Sequence, residues 1–231
     1  MKRFFLQKHI DYFLILVFFV IPPIFTTGTA EYSAAAPVLA LLIHAALCAY
    51  IICKIKFSTE KQPFRIDRKL ILSRAIVTFV ALCMLIMNSF AWNAAATVTA
   101  ATGIFNTESS EIVKIVPEGA AEIAYTVLSL LIAALYEELL YRWFLPEEIK
   151  YIFSSDSTMS KSKQTAKTLR ILFEILIILL FALGHRYLGI WAVLNAFTAG
   201  CILRFICVRT DSVISGFIAH FAYNLLLLFI F

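Results

Sequence analysis

With 231 residues, 61% of them hydrophobic and only 15% charged, and a mean hydropathy of +0.88, the chain is too apolar for a soluble globular domain. Its formal charge of +5 does not call for nucleic acid. The basic residues fall between apolar runs, where they set membrane orientation and meet anionic lipid.

A hydrocarbon core of about 30 Å needs roughly 20 apolar residues per crossing helix. Seven runs of that kind follow one another, near 10–26, 34–53, 70–92, 120–148, 169–187, 190–208 and 212–231. The fold class predicted is an all-α, polytopic transmembrane helical bundle of about seven helices. With few glycines or prolines, no Ser/Gly linker and no repeat of solenoid length, residues 1–231 read as a single integral membrane domain.

The first run has a second reading as a secretory signal, because Lys2, Arg3 and Lys8 precede it and Gly28-Thr29-Ala30 resembles a small-residue cleavage site. Pro22 and Pro23 suit the outer end of a retained helix, which is the expectation adopted. The positive-inside rule then orients the chain. Cytoplasmic positions are assigned to the N-terminus, to the second connection (Lys54, Lys56, Lys61, Arg65, Arg68, Lys69) and to the fourth (Lys150, Lys161, Lys163, Lys167, Arg170). Arg204 and Arg209 are placed at the last cytoplasmic turn. The first connection, with Glu31, and the acidic third, with Glu108, Glu111 and Glu118, face outward. Ser154–Thr168, rich in Ser, Thr and Lys, is expected to form a cytoplasmic loop. Cys48, Cys53, Cys83, Cys201 and Cys207 lack metal-ligand spacing and read as small hydrophobes.

The fourth run carries two adjacent carboxylates, Glu137 and Glu138, and then Arg142. An ionisable side chain near the bilayer centre costs roughly 2.5–3.5 kcal/mol even on the lenient insertion scale, so the default reading is a functional site. Arg142 follows Glu138 by four residues and can pair with it on one helix face. Glu137, about 100° away around the helix, is left to face elsewhere.

The fifth run ends Phe181-Ala182-Leu183-Gly184-His185, and the seventh contains His220-Phe221-Ala222-Tyr223-Asn224. In each, the first and last residues share a helix face. Measured from Lys150, Arg170 and Asp211, at 1.5 Å per residue, Glu137, His185 and His220 lie about 20, 22 and 14 Å deep. All three depths fall in the middle of the membrane. A lone intramembrane His is ordinarily helix-helix glue. Two carboxylates, two His and an Asn on three helices exceed what packing requires, since each polar group costs stability unless partnered. Glu147 and Glu148 beside Lys150 read as a solvated interfacial face, Asn88 and Asn195 as interhelical hydrogen-bonders, and His44 as a lone His without partner spacing.

Glu-Glu-x-x-x-Arg at 137–142, Phe-x-x-x-His at 181–185 and His-x-x-x-Asn at 220–224, in this order on a polytopic chain, resemble the CPBP family of intramembrane endopeptidases, which includes CAAX proteases and bacteriocin-processing enzymes and is also known as the Abi family. The resemblance covers residues 120–231, with 1–119 matching only as membrane helices. It implies an enzyme that cuts membrane-associated or CAAX-type peptides. It further implies that Glu137 is the general base, His185 its partner in activating water, and His220 with Asn224 the oxyanion holders. Glu138, Arg142 and Phe181 would support the site. A carboxylate and a His can relay a proton, and preorganised donors stabilise developing negative charge by about 2.7–4 kcal/mol each.

Three alternatives stay open. Glu137, His185 and His220 could ligate Zn²⁺ with an open water position, although there is no His-Glu-x-x-His helix and the metal-free reading is preferred. The chain could instead be a non-catalytic membrane immunity or partner protein. A proton-coupled carrier lacks support, because no matched inverted repeats are visible. Where many relatives have Gly after the motif Arg, this chain has Trp143, and Pro146 is the residue available to supply a break. The partners expected are membrane lipids and a peptide or lipidated peptide, without nucleic acid, at a bacterial inner membrane.

Overall fold

The computed structural model describes residues 10–26, 31–58, 63–64, 71–102, 113–155 and 163–230. Gly28-Thr29-Ala30, Lys2, Arg3, Lys8, Glu108, Glu111, Lys161 and the second-connection residues Lys61, Arg65, Arg68 and Lys69 lie outside the described residues. The described chain is overwhelmingly helical: α1 (Ile10–Phe25), α2 (Val38–Ser58), α3 (Ile71–Thr102), α4 (Ala120–Glu137), a π-helical segment (Glu138–Phe144), α5 (Leu145–Ser155), α6 (Lys163–Leu183), α7 (Ile190–Thr210) and α8 (Ile214–Ile230). Three helical stretches, Ile71–Thr102, Ala120–Lys150 and Ile190–Thr210, are long and apolar enough to cross a membrane.

Each predicted run corresponds to a helix, with altered ends. The third run continues to Thr102 through Ala94-Ala95-Ala96, where alanine's high helix propensity sustains the turn. Of the loop expected over Ser154–Thr168, residues 156–162 lie outside the described residues, while Ser154 and Ser155 end α5 and α6 already begins at Lys163, in a Lys/Gln/Ala-containing stretch that favours helix. The fifth run, predicted to 187, instead ends as a helix at Leu183. A short 3₁₀ turn at Arg186–Leu188 follows, closed by Gly189 at φ 94°, a conformation that glycine tolerates without steric cost.

Prolines explain two departures from α geometry. A proline has no N–H for the carbonyl four residues back. In α1 the turn Leu16–Val20 is π-helical, with Ile21 N–H donating to the Leu16 carbonyl, immediately before Pro22 and Pro23. The π segment Glu138–Phe144 likewise ends just before Pro146. The break anticipated at Pro146 is therefore absent, and the helix passes through it by changing register.

The chain divides into two compact units: Met1–Gly28 with Phe144–Gly200, and Thr29–Trp143 with Cys201–Phe231. In the first, α6 packs on α5 and on the Pro-containing end of α1. A Cβ at Gly184 would lie 3.5 Å from Pro23 Cβ, so this glycine permits a close approach.

In the second unit, α4 packs on α2 and α8, and α8 on α3. At one end, β1 (Glu31–Ser33) pairs in parallel with β2 (Val113–Ile115), and the Tyr125 hydroxyl donates to the Ala36 carbonyl at 2.6 Å. At the other end of α2, the Pro63 carbonyl accepts from Ser212 Oγ at 2.9 Å and from the Val213 N–H at 3.0 Å. The turn there is tight: Asp211 takes φ 48°, a conformation that Asp adopts more readily than most residues. The connections thus pair first with third, and second with the α7–α8 turn, the same grouping that the charge distribution gives.

Tyr125→Phe removes the bond that ties the start of α4 to the chain entering α2. A loss of about 0.5–1.5 kcal/mol is expected, read as a lower thermal midpoint of the detergent-solubilised protein. An unchanged midpoint would show that this bond does not hold the end of the bundle together.

Candidate active site

Glu137 is the last α-helical residue of α4, and Glu138 is the first of the π segment. Such wide turns inside α-helices recur at functional sites. Here the change of register separates the environments of two neighbouring carboxylates. Glu138 is fully buried, whereas the Glu137 side chain keeps 22% of its exposure.

Glu138 is the hub of the second unit. Its Oε1 lies 3.0 Å from His220 Nδ1 on α8 and 3.5 Å from Arg142 Nε one turn on. Its Oε2 has no hydrogen-bond partner among the described residues. The space around that oxygen comes from Gly216, one turn before His220, where an added Cβ would sit 3.0 Å from Oε2. His220 also faces the other carboxylate, with Nε2 at 3.6 Å from Glu137 Oε2. The imidazole therefore stands between the two glutamates. The sequence assigned Glu138 to Arg142 alone and His220 to Glu137; the shorter contact of His220 is with Glu138.

Arg142, 1% exposed, is anchored through its backbone as well. Its carbonyl would be the α-helical acceptor for residue 146, which is a proline and has no N–H. Arg204 Nη1 donates to that carbonyl at 2.7 Å, and Cys207 Sγ lies 3.5 Å from it. Arg204 was expected at a cytoplasmic turn, yet it is buried at 7% exposure. The proline-freed carbonyl supplies the acceptor that draws it inward, while Arg209 stays exposed over the Phe205 ring.

His44 was read as a lone residue. Its ring instead stacks on Tyr136, with centroids 4.2 Å apart and planes 17° from parallel. The Tyr136 side chain hydrogen-bonds Tyr141, and His44, Tyr136 and Tyr141 all lie within electrostatic reach of Glu137. Nothing in local spacing marks this contact, because α2 and α4 are distant in sequence.

Asn224 lies one turn after His220 on α8, half-buried, and makes no hydrogen bond to another described residue. Phe181 and His185 belong to the other unit. There, His185 sits past the end of α6 rather than on its helical face. Its Nδ1 is 3.1 Å from the Phe181 carbonyl, one of the acceptors a helix terminus leaves open. The two rings meet edge to face at 4.9 Å. Outside these groups, Lys150 pairs with Glu147, as an interfacial face would. Trp143 is buried.

Among the described residues no three His, Cys, Asp or Glu side chains gather as a metal-ligating group.

Burial predicts different consequences for the two glutamates. Removing one partner of a buried ion pair costs about 3–5 kcal/mol, so Glu138→Ala should sharply lower the thermal midpoint, whereas Glu137→Ala should leave it nearly unchanged. Gly216→Ala, by crowding Glu138 Oε2, should cost about 1–3 kcal/mol. Equal midpoints for the two glutamate variants would overturn this division.

Residues 119–226 match the family model described as "Type II CAAX prenyl endopeptidase Rce1-like". No curated protein and no solved structure matches the chain. The matched segment contains all three motifs, from Glu137 to Asn224, and leaves out α1 to α3. Through residues 119–226 the chain is similar to the Rce1-like family of type II CAAX prenyl endopeptidases.

Proposed function

We propose that this chain is a multi-pass intramembrane endopeptidase that hydrolyses peptide bonds of membrane-associated or CAAX-type substrates with a Glu-activated water and no metal. The observation that carries the reading is the His220 imidazole set between Glu137 and Glu138, at 3.6 and 3.0 Å. Glu138, held by Arg142, fixes the ring by accepting from Nδ1–H, and so aims Nε2 toward Glu137. Hydrogen-bonded orientation of this kind decides which ring nitrogen is available for chemistry.

Glu137, the more exposed carboxylate, is the proposed general base. It takes a proton from water as the oxygen attacks the scissile carbonyl. With both ring nitrogens protonated, His220 donates from Nδ1 to Glu138 and presents Nε2–H to the developing oxyanion, and the charges of Glu137, Glu138, Arg142 and His220 sum to zero. Asn224, whose amide is not engaged by other described residues, is the proposed second oxyanion donor. Protonation of the leaving amine then completes the cleavage. To His185 we assign the relay of the water proton, on its motif and on the Phe181 contacts that hold its ring. A bacterial inner membrane is the proposed location.

Comparing membrane-protein termini between wild-type and Glu137→Gln cells tests the reading, followed by cleavage of a prenylated CAAX peptide by the purified enzyme. Glu137→Gln and His185→Ala should lower turnover by about 10²–10⁴-fold, and Asn224→Ala by about 10²–10³-fold, with the protein still in the membrane. Wild-type termini in Glu137→Gln cells would point to the non-catalytic immunity or partner role. Chelators should leave turnover unchanged, whereas inhibition that zinc reverses would overturn the metal-free mechanism.

A further inference from the structure

A groove of about 470 Å³ lies between α3 and α8, on a different face of α8 from the carboxylate cluster. Ser215, Ile218, Ala219 and Ala222 line it, whereas Gly216 and His220 turn to Glu138. The walls are almost wholly apolar, and Arg74 is the charged residue among them. One guanidinium nitrogen of Arg74, Nη1, is shielded from solvent and has no hydrogen-bond partner among the described residues. A buried donor left in that state is costly. Its position points to an anionic ligand.

We propose that this groove holds an acyl chain of an anionic phospholipid whose phosphate is bound by Arg74. The dimensions fit one leaflet. From Ile71 to Leu82 the groove follows α3 for eleven residues, about 16 Å at 1.5 Å per residue, which is half of a hydrocarbon core of about 30 Å. Arg74 lies in the first turn of α3, and Ile214 and Ser215 begin α8 beside it. That is the end of the unit where Pro63 meets Ser212. The sequence between α2 and α3 is rich in basic residues, a composition that attracts anionic headgroups.

The opposite end of the groove reaches mid-membrane depth without any charged residue, as a hydrocarbon tail requires. Ile71, Phe79 and Ile218 are exposed along its rim, so a chain enters sideways from the bilayer. A neutral lipid of the same chain length would fill the walls equally well and give Arg74 nothing. The phosphate adds charge-assisted hydrogen bonds to a fork-shaped donor.

Native mass spectrometry of the purified protein, loaded with phosphatidylglycerol or with diacylglycerol of identical chains, tests the assignment. One tightly retained phosphatidylglycerol is expected, favoured about five-fold over diacylglycerol, the factor corresponding to roughly 1 kcal/mol per basic residue near a charged surface. Arg74→Gln should erase that preference, Arg74→Lys should keep most of it, and Ala75→Phe, which fills the groove, should reduce retention of both lipids. Inorganic phosphate should not displace the lipid, because the chain supplies most of the contact. Undiminished preference in Arg74→Gln would overturn the proposal. Stoichiometric displacement by a prenylated peptide would also overturn it, by giving the groove to substrate.

Discussion

The burial of Glu138 is the constraint around which the second unit is arranged. A carboxylate with no exposure inside a helix bundle loses several kcal/mol of hydration, and only close partners with good geometry compensate for it. Each neighbour has a recognisable share. Arg142 supplies the opposite charge from one turn along the same helix, His220 supplies a directed hydrogen bond from α8, and Gly216 supplies room for the second oxygen. Because α4 and α8 both contribute, their mutual packing is fixed at the level where Glu137 is also displayed.

That arrangement depends in turn on a backbone irregularity. Glu138 opens a π-helical segment that ends just before Pro146. The missing N–H at Pro146 frees the Arg142 carbonyl, and Arg204 fills the vacancy from α7. Arg142 therefore backs the Glu138–His220 contact through its side chain and joins α7 through its main chain. A residue with an N–H at position 146 would have satisfied that carbonyl internally and left Arg204 without this acceptor. The proline in a place where the sequence suggested a break acts through hydrogen-bond accounting, and the helix stays continuous.

Patterns that depend on local periodicity were legible in the sequence. The seven apolar runs are visible from length and hydropathy, the Glu138–Arg142 pair from i,i+4 spacing, and the shared face of His220 and Asn224 from the same rule. Contacts between helices were not. The stack of His44 on Tyr136 joins α2 to α4, and α2 lies outside the matched segment 119–226. Arg204 near the end of an apolar run looked like an interfacial cation because its acceptor is created by a proline on another helix. Gly216 carried no signal of its own, since the need for a small residue arises only where a carboxylate oxygen approaches from α4. His185 was placed on a helix that ends two residues earlier, because Gly184 and Gly189 close that terminus in a way hydropathy does not register.

The exposure difference between adjacent glutamates gives the clearest physical basis for separating scaffold from reagent. A group that must accept a proton from water needs access to that water, and Glu137 retains 22% of its exposure where Glu138 retains none. A group that must hold an imidazole in one orientation needs the opposite: short contacts, a fixed counter-charge and no competing solvent. Exchanging the two environments would leave the buried carboxylate unable to reach a water, and the open one unable to hold His220. The one-residue step between Glu137 and Glu138, at the point where the α-helix becomes a π-helix, thus divides the proposed general base from the buried carboxylate that contacts His220.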